Sequence, residues 1–231
     1  MKLLAVDTSS DGCSVALLCG DDLSGHLRVE PRGHTRLIMP MIRQLLGEQG
    51  VAMAELDALA FAAGPGSFTG LRIATGVIQG LAWGLDIPVV PVSSLQAVAL
   101  ELAQRQQAGE GDGIAVAFEA RMDEVYWGCY RIAHGLPEPL APGRVCPPER
   151  VALPDGDRRW LAGGSGWRYA ERMPETVRAR VGEPDPERIP DARFVARLAA
   201  DAWSRGAAVP AAQAQPVYLR DEVTWQKLPG R

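Results

Sequence analysis

Residues 3–6, Leu-Leu-Ala-Val, form an unbroken apolar run that stops at Asp7, and this pattern predicts a short buried strand running into a polar turn through Thr8, Ser9, Ser10, Asp11 and Gly12. Two further apolar stretches, 13–19 and 23–30, are joined through Gly20-Asp21-Asp22, so the chain opens as an antiparallel meander broken by Pro31-Arg32-Gly33. From Thr35 the period changes. Leu37, Ile38, Met41, Ile42, Leu45 and Leu46 recur at spacings of one, three, one, three and one, which places all six on one broad helical face closed by Gly47 and Gly50. Pro40, inside that stretch, should bend the helix or shift its start.

A strand over 58–62 leads through Gly64-Pro65-Gly66-Ser67-Phe68-Thr69-Gly70 into a second helix over 71–83, with Thr69 as the expected N-cap. Gly76, Gly80 and Gly84 recur every four residues here. Each interior glycine lowers helix stability by about 1 kcal/mol relative to alanine, so something should come close to the backbone along that line. The helix's own sheet and a partner's helix both fit that description. A strand over 88–92 and a helix over 93–104 follow, and the polar, glycine-rich stretch 106–113 marks the division between two halves.

The second half restarts with strands over 114–118 and 124–131, a second meander that hints at duplicated architecture without a visible sequence repeat. Residues 161–166 read as a strand entering a tight loop, 171–190 as polar surface, and 192–204 as a helix capped by Asp191 with Phe194, Val195, Leu198, Ala199 and Ala202 inward. A short strand is expected at 217–219, followed by a mixed-charge tail. The fold class is α/β.

Composition changes this picture little. The 231 residues are 47% hydrophobic and 23% charged, ordinary for a chain that buries a core. A net charge of -4 argues against a general nucleic-acid surface, which needs dense Lys and Arg against phosphates. Cys13, Cys19, Cys129 and Cys146 show no metal or redox spacing and read as buried thiols. The opening run reaches Asp7 too soon for a signal peptide and no stretch resembles a membrane span, so the expectation is a cytoplasmic protein that meets no membrane.

Candidate chemistry is sparse. Asp7, Thr8 and Ser9 at a strand end, with Gly64 and Gly66 before a helix, could form a phosphate-handling corner, although no P-loop Lys-Ser/Thr pair follows. His26, His34 and His134 lie in no ligand pattern, and the Ser165 run does not match G-x-S-x-G. The acids Glu119, Asp123 and Glu124 around Arg121 read as local ion pairing. No catalytic or metal residue is assigned.

Together these segments resemble the TsaB family, non-catalytic paralogues of the tRNA threonylcarbamoyladenosine subunit TsaD that carry an older glycopeptidase label. The resemblance rests on Leu4-Ala5-Val6-Asp7-Thr8-Ser9, Cys13 to Leu17, His34-Thr35, the Gly64 to Ile73 run, Gly80-Leu81-Ala82, Ala120 to Trp127 and Pro216 to Arg220, with Trp225, Lys227, Leu228, Pro229 and Gly230 near the end. It implies the two-lobed actin-like ATPase (ribonuclease H-like) fold, with an N-terminal lobe over 1–105, a C-terminal lobe over 106–214 and a segment 215–231 returning to the first lobe. Where TsaD holds its metal with two histidines, this chain carries Ser94 and Val98.

The resemblance implies an accessory role while threonylcarbamoyl passes to N6 of adenosine 37 in tRNAs reading ANN codons. The partners would be TsaD directly, TsaE at the junction, a second copy as homodimer, and tRNA mainly through the complex. The implied contact face is Leu37, Ile38, Met41, Ile42 and Leu45 on one helix with Ile73, Val77, Gly80 and Leu81 on the next. No tightly held cofactor is expected, with a weakly bound nucleotide, or one at a partner interface, left open. The competing expectations are a nucleotide-dependent phosphotransferase, a vestigial metallopeptidase-like enzyme using Asp7, and a homodimeric nucleotide-binding protein.

Overall fold

The computed structural model describes residues 1–219. Its first sheet has the order β3-β2-β1-β4-β5, built from β1 (Lys2–Asp7), β2 (Gly12–Cys19), β3 (Asp22–Val29), β4 (Ala58–Gly64) and β5 (Val89–Ser93). The meander β1-β2-β3 is antiparallel, whereas β4 and β5 run parallel to β1. Strand alternation sends most of the larger side chains to one face and a row of alanines to the other, where Leu3, Leu18, Val90 and Val92 also lie. Leu4, Val6, Val15, Leu17, Leu59 and Phe61 face α1 (His34–Glu48) and α2 (Phe68–Leu85), while Ala5, Ala16, Ala58, Ala60 and Ala62 face the other way. The small face lets α5 (Ala192–Ser204) lie close against the sheet through Ala192, Val195, Ala196 and Ala199.

The second sheet repeats the plan. Strands β6 (Gly113–Ala120) and β7 (Glu124–Ala133) are antiparallel, β8 (Leu136–Pro139) and β9 (Arg144–Cys146) pair in turn with the far edge of β7, and β10 (Trp160–Gly163) runs parallel to β6. Thus β6, β7, the broken strand β8 with β9, and β10 take the places of β1, β2, β3 and β4. This is the mixed-sheet plan of the actin-like fold, and the duplication suggested by the two meanders is real at the level of topology. Helix α3 (Ser94–Arg105) lies between the sheets, sending Ala97 and Leu100 into the first core and Leu95, Val98, Ala99 and Leu102 into a core with Ile114, Val116 and Phe118.

Several expectations need correction. Helix α1 begins at His34 and runs through Pro40 to Glu48. Helix α2 begins three residues earlier than expected, with Ser67 as its cap: the Ser67 hydroxyl accepts from the Gly70 N–H at 3.3 Å, and Thr69 lies inside the helix. Asp191 does cap α5, accepting from the Arg193 N–H at 2.8 Å. The boundary at residue 214 moves, because the chain returns to the first sheet from Asp191 onward. There α5 packs on β1 and β2, and Val209 bridges Val89. The apolar face of α5 fits the alanine-lined sheet, a match no local pattern displays.

The polar stretch 171–190 is not simply surface. Met173 and Val177 are buried, the latter on the short α4 (Glu175–Arg178), and Asp185 pairs through its backbone with β10. Residues 217–219 form no strand, although the Val217 N–H donates to the Ala63 carbonyl at 2.7 Å. The tail motif around Trp225 to Gly230 lies outside the described residues. No helix among the described residues is long and apolar enough to cross a membrane.

Candidate functional site

At the end of β1 the chain makes a tight, fully enclosed corner. Asp7 and Thr8 are buried completely and Ser9 nearly so. The Ser9 N–H donates to Asp7 Oδ1 at 2.9 Å and its hydroxyl to Oδ2 at 3.0 Å. Burial pushes the Asp7 carboxyl up to about 7; the Ser9 donors pull against that rise, and nearby Asp191 adds to it. The loop entering α2 seals the corner. The Thr8 hydroxyl donates to the Gly70 carbonyl at 2.7 Å, and the Ser67 N–H donates to the Ser9 carbonyl at 2.7 Å.

This packing explains two glycines. A Cβ on Gly70 would lie 1.8 Å from the Thr8 carbonyl oxygen, and one on Gly66 would lie 2.3 Å from that of Ser9. The structure places Asp7, Thr8, Ser9 and the glycine loop side by side, and several of their donors are used internally. The Ser67 N–H serves Ser9, the Gly70 N–H serves Ser67, and the Thr8 and Ser9 hydroxyls both have acceptors.

Ser94 opens α3 and is wholly buried, its hydroxyl without a partner, while Val98 lies one turn later in the core between the sheets. Neither faces an open site. Among the described residues no group of three or more His, Cys, Asp or Glu is placed to hold a metal ion. Ser165 accepts from the Glu119 N–H at 3.0 Å and joins a loop to β6. The four cysteines are free thiols, all buried except the half-buried Cys19.

The apolar face of α1 is spent inside the chain. Leu37, Ile38, Met41, Ile42 and Leu45 are 0–8% exposed and pack on β1, β2 and β4. This corrects the expectation that these five side chains present a surface: amphipathic periodicity marks what a helix buries, and the nearest apolar surface is its own sheet. Helix α2 behaves differently. Ile73, Val77 and Leu81 are half-buried at the flank of the core, while Gly76, Gly80 and Gly84 are exposed, and a Cβ at any of the three would meet nothing within 4 Å. Beside them Trp83 is 75% exposed and, at the helix start, Phe68 is 50% exposed.

The family model described as "TsaD: tRNA N6-adenosine threonylcarbamoyltransferase" matches residues 28–172. A Haemophilus influenzae protein named tRNA threonylcarbamoyladenosine biosynthesis protein TsaB is 36% identical across 100% of this chain and 98% of its own length. The Escherichia coli protein of the same name is 36% identical with both chains fully covered. The chain belongs to the TsaB family.

Among solved structures, YeaZ from Pseudomonas aeruginosa superposes on this TsaB-family chain with a TM-score of 0.89 at 47% identity, covering 94% of this chain and 99% of its own. A second Pseudomonas aeruginosa structure, described as an uncharacterized protein with similarity to peptidase YeaZ, gives the same TM-score and identity over 95% of this chain. Within a TsaB-family chain the outward residues of interest are thus Gly76, Gly80 and Gly84 with Trp83 and Phe68. The glycine spacing was visible in sequence. The exposure of Trp83 was not, because a Trp ending an apolar helix carries the same pattern whether it faces in or out.

Proposed function

We propose that the chain is a non-catalytic accessory subunit in the formation of threonylcarbamoyladenosine in tRNA, binding TsaD in the cytoplasm and offering TsaE a platform at the resulting junction. Its contribution is binding free energy that holds the partner in a competent state, without a proton transfer of its own. The observation that carries this reading is the outward glycine row of α2. Three glycines each lower helix stability by about 1 kcal/mol, and nothing among the described residues uses the space they leave. A second backbone approaching that row would use it, flanked by Trp83 as an aromatic anchor.

A stable contact buries roughly 800 Å² per partner, and α2, 18 residues and about 27 Å long, is one narrow element of such a face. Helix α1 therefore contributes its outer side, Arg36, Pro40 and Arg43, in place of its buried apolar face. A second copy of the chain would compete for the same row, which makes homodimer and heterodimer mutually exclusive. Family membership supports the tRNA-modification role, and the enclosed Asp7 corner favours this reading over a phosphotransferase.

The test is reconstitution of tRNA modification from purified TsaD and its companions with this chain present or omitted, alongside calorimetry of the isolated chain with ATP and Mg²⁺. Modification should depend on the chain, and the isolated chain should bind nucleotide weakly or not at all. Full modification without it, or turnover by the chain alone that is lost in Asp7→Ala, would overturn the proposal.

A further inference from the structure

Between the two sheets lies a cavity of about 260 Å³, walled by Gly64, Pro91 and Val92 from the first lobe and by Tyr130 and Gly143 from the second. Ala63, Pro65, Ser93 and Leu95 complete the lobe walls, and Val217 and Leu219 of the returning segment lie across one side. That segment is fastened at several points. The Val217 N–H donates to the Ala63 carbonyl at 2.7 Å, and the Val217 carbonyl oxygen sits so near Gly64 that a Cβ there would lie 2.6 Å away. The Tyr218 ring packs against Phe68 with centroids 5.6 Å apart, and its hydroxyl accepts from Arg72 Nε at 3.2 Å while the Arg72 guanidinium covers the Phe68 ring. Leu219 then reaches across to the second lobe, within 3.3 Å of a Cβ built on Gly143.

We infer that residues 214–219 act as a strap that closes the cleft between the lobes, occupying with the chain's own backbone the entrance a cleft ligand would use. Three observations point the same way. The strap touches both lobes, through Ala63 and Gly64 on one side and Gly143 on the other. Gly64, with φ at 120°, and Gly143 both clear its path. And Val217 and Tyr218 remain 51% and 41% exposed, so the strap is clasped at its edges rather than buried, a fastening that can open without unfolding either lobe. This inference does not depend on the accessory role proposed above.

The strap can be unfastened with both lobes left intact. Val217→Pro removes the N–H that bonds Ala63, and Tyr218→Ala removes the ring and hydroxyl held by Phe68 and Arg72. Val92→Cys places a small thiol in the cavity wall, and labelling by a soluble disulfide reagent, mapped by mass spectrometry, reports access. Cys13, fully buried on the far face of the first sheet, and Cys129, in the core of the second lobe, are internal controls. In the full-length chain carrying Val92→Cys, adding Val217→Pro and Tyr218→Ala should raise labelling at position 92 at least tenfold while both controls stay within twofold. An unchanged rate at position 92 would refute the strap. So would a parallel rise at all three thiols, which reports general destabilisation.

Discussion

Replacing Gly76, Gly80 and Gly84 together by alanine should stabilise the isolated chain and weaken its partner complex. The three positions are on the outer face of α2, where a Cβ meets nothing within 4 Å, so each new methyl enters solvent without a clash. Each substitution recovers about 0.5–1 kcal/mol of helix propensity, roughly 2 kcal/mol for the three. For a chain of this size that corresponds to a rise in Tm of about 4–8 °C. Gly70→Ala, in the same helix, should do the reverse, because its Cβ would lie 1.8 Å from the Thr8 carbonyl oxygen. In the complex, three added methyls between closely packed helices cost about 1–3 kcal/mol, so affinity for TsaD should fall roughly five- to 150-fold. Thermal scans at two protein concentrations separate intrinsic stability from self-association, and titration calorimetry reads the affinity. A Tm that stays level or drops would mean the glycines serve the fold itself. A rise in Tm with unchanged affinity would mean the row is not the contact.

Leu45→Asp distinguishes a core side chain from an interface one. Leu45 is 1% exposed beneath α1, and an unpaired carboxylate there should cost more than about 4 kcal/mol and abolish cooperative unfolding in urea; a normally folded variant that merely fails to bind TsaD would contradict this placement. Asp7 should make stability depend on pH. With its folded pKa raised to about 7 from 3.8, the native chain keeps a proton that the unfolded chain releases, so the stability it contributes is complete below about pH 4 and is lost as pH rises through 7. The loss approaches roughly 4 kcal/mol at about 1.4 kcal/mol per unit. Asp7→Asn should flatten that slope, and urea midpoints at pH 5 and pH 8 that shift equally in both proteins would refute the assignment.

Much of the site was legible before any coordinates, and its misreadings have one cause. The continuous apolar runs at 3–6 and 13–19 and the 3.6-residue period of α1 identified which positions are buried, and burial is what those patterns encode. They carry no information on whether the covering surface belongs to the same chain. Leu37 to Leu45 therefore read equally well as a docking face and as a core face, and only the position of β2 and β4 decided between them. The glycine row was read from spacing alone, yet its direction needed the orientation of α2 about its own axis.

Sequence alone determined the main strands and helices of the first lobe, the family and the unusual density of glycine before and within α2, because these follow from local periodicity, turn chemistry and motif identity over short stretches. Tertiary structure decided the rest: that α5 crosses back to the first sheet, that Asp7 is sealed by Ser67 and Gly70, and that residues 214–219 span the cleft. Each of these joins residues far apart in the chain, at places where close packing accepts only one arrangement of surfaces, and complementarity of that kind exists only once both surfaces are built.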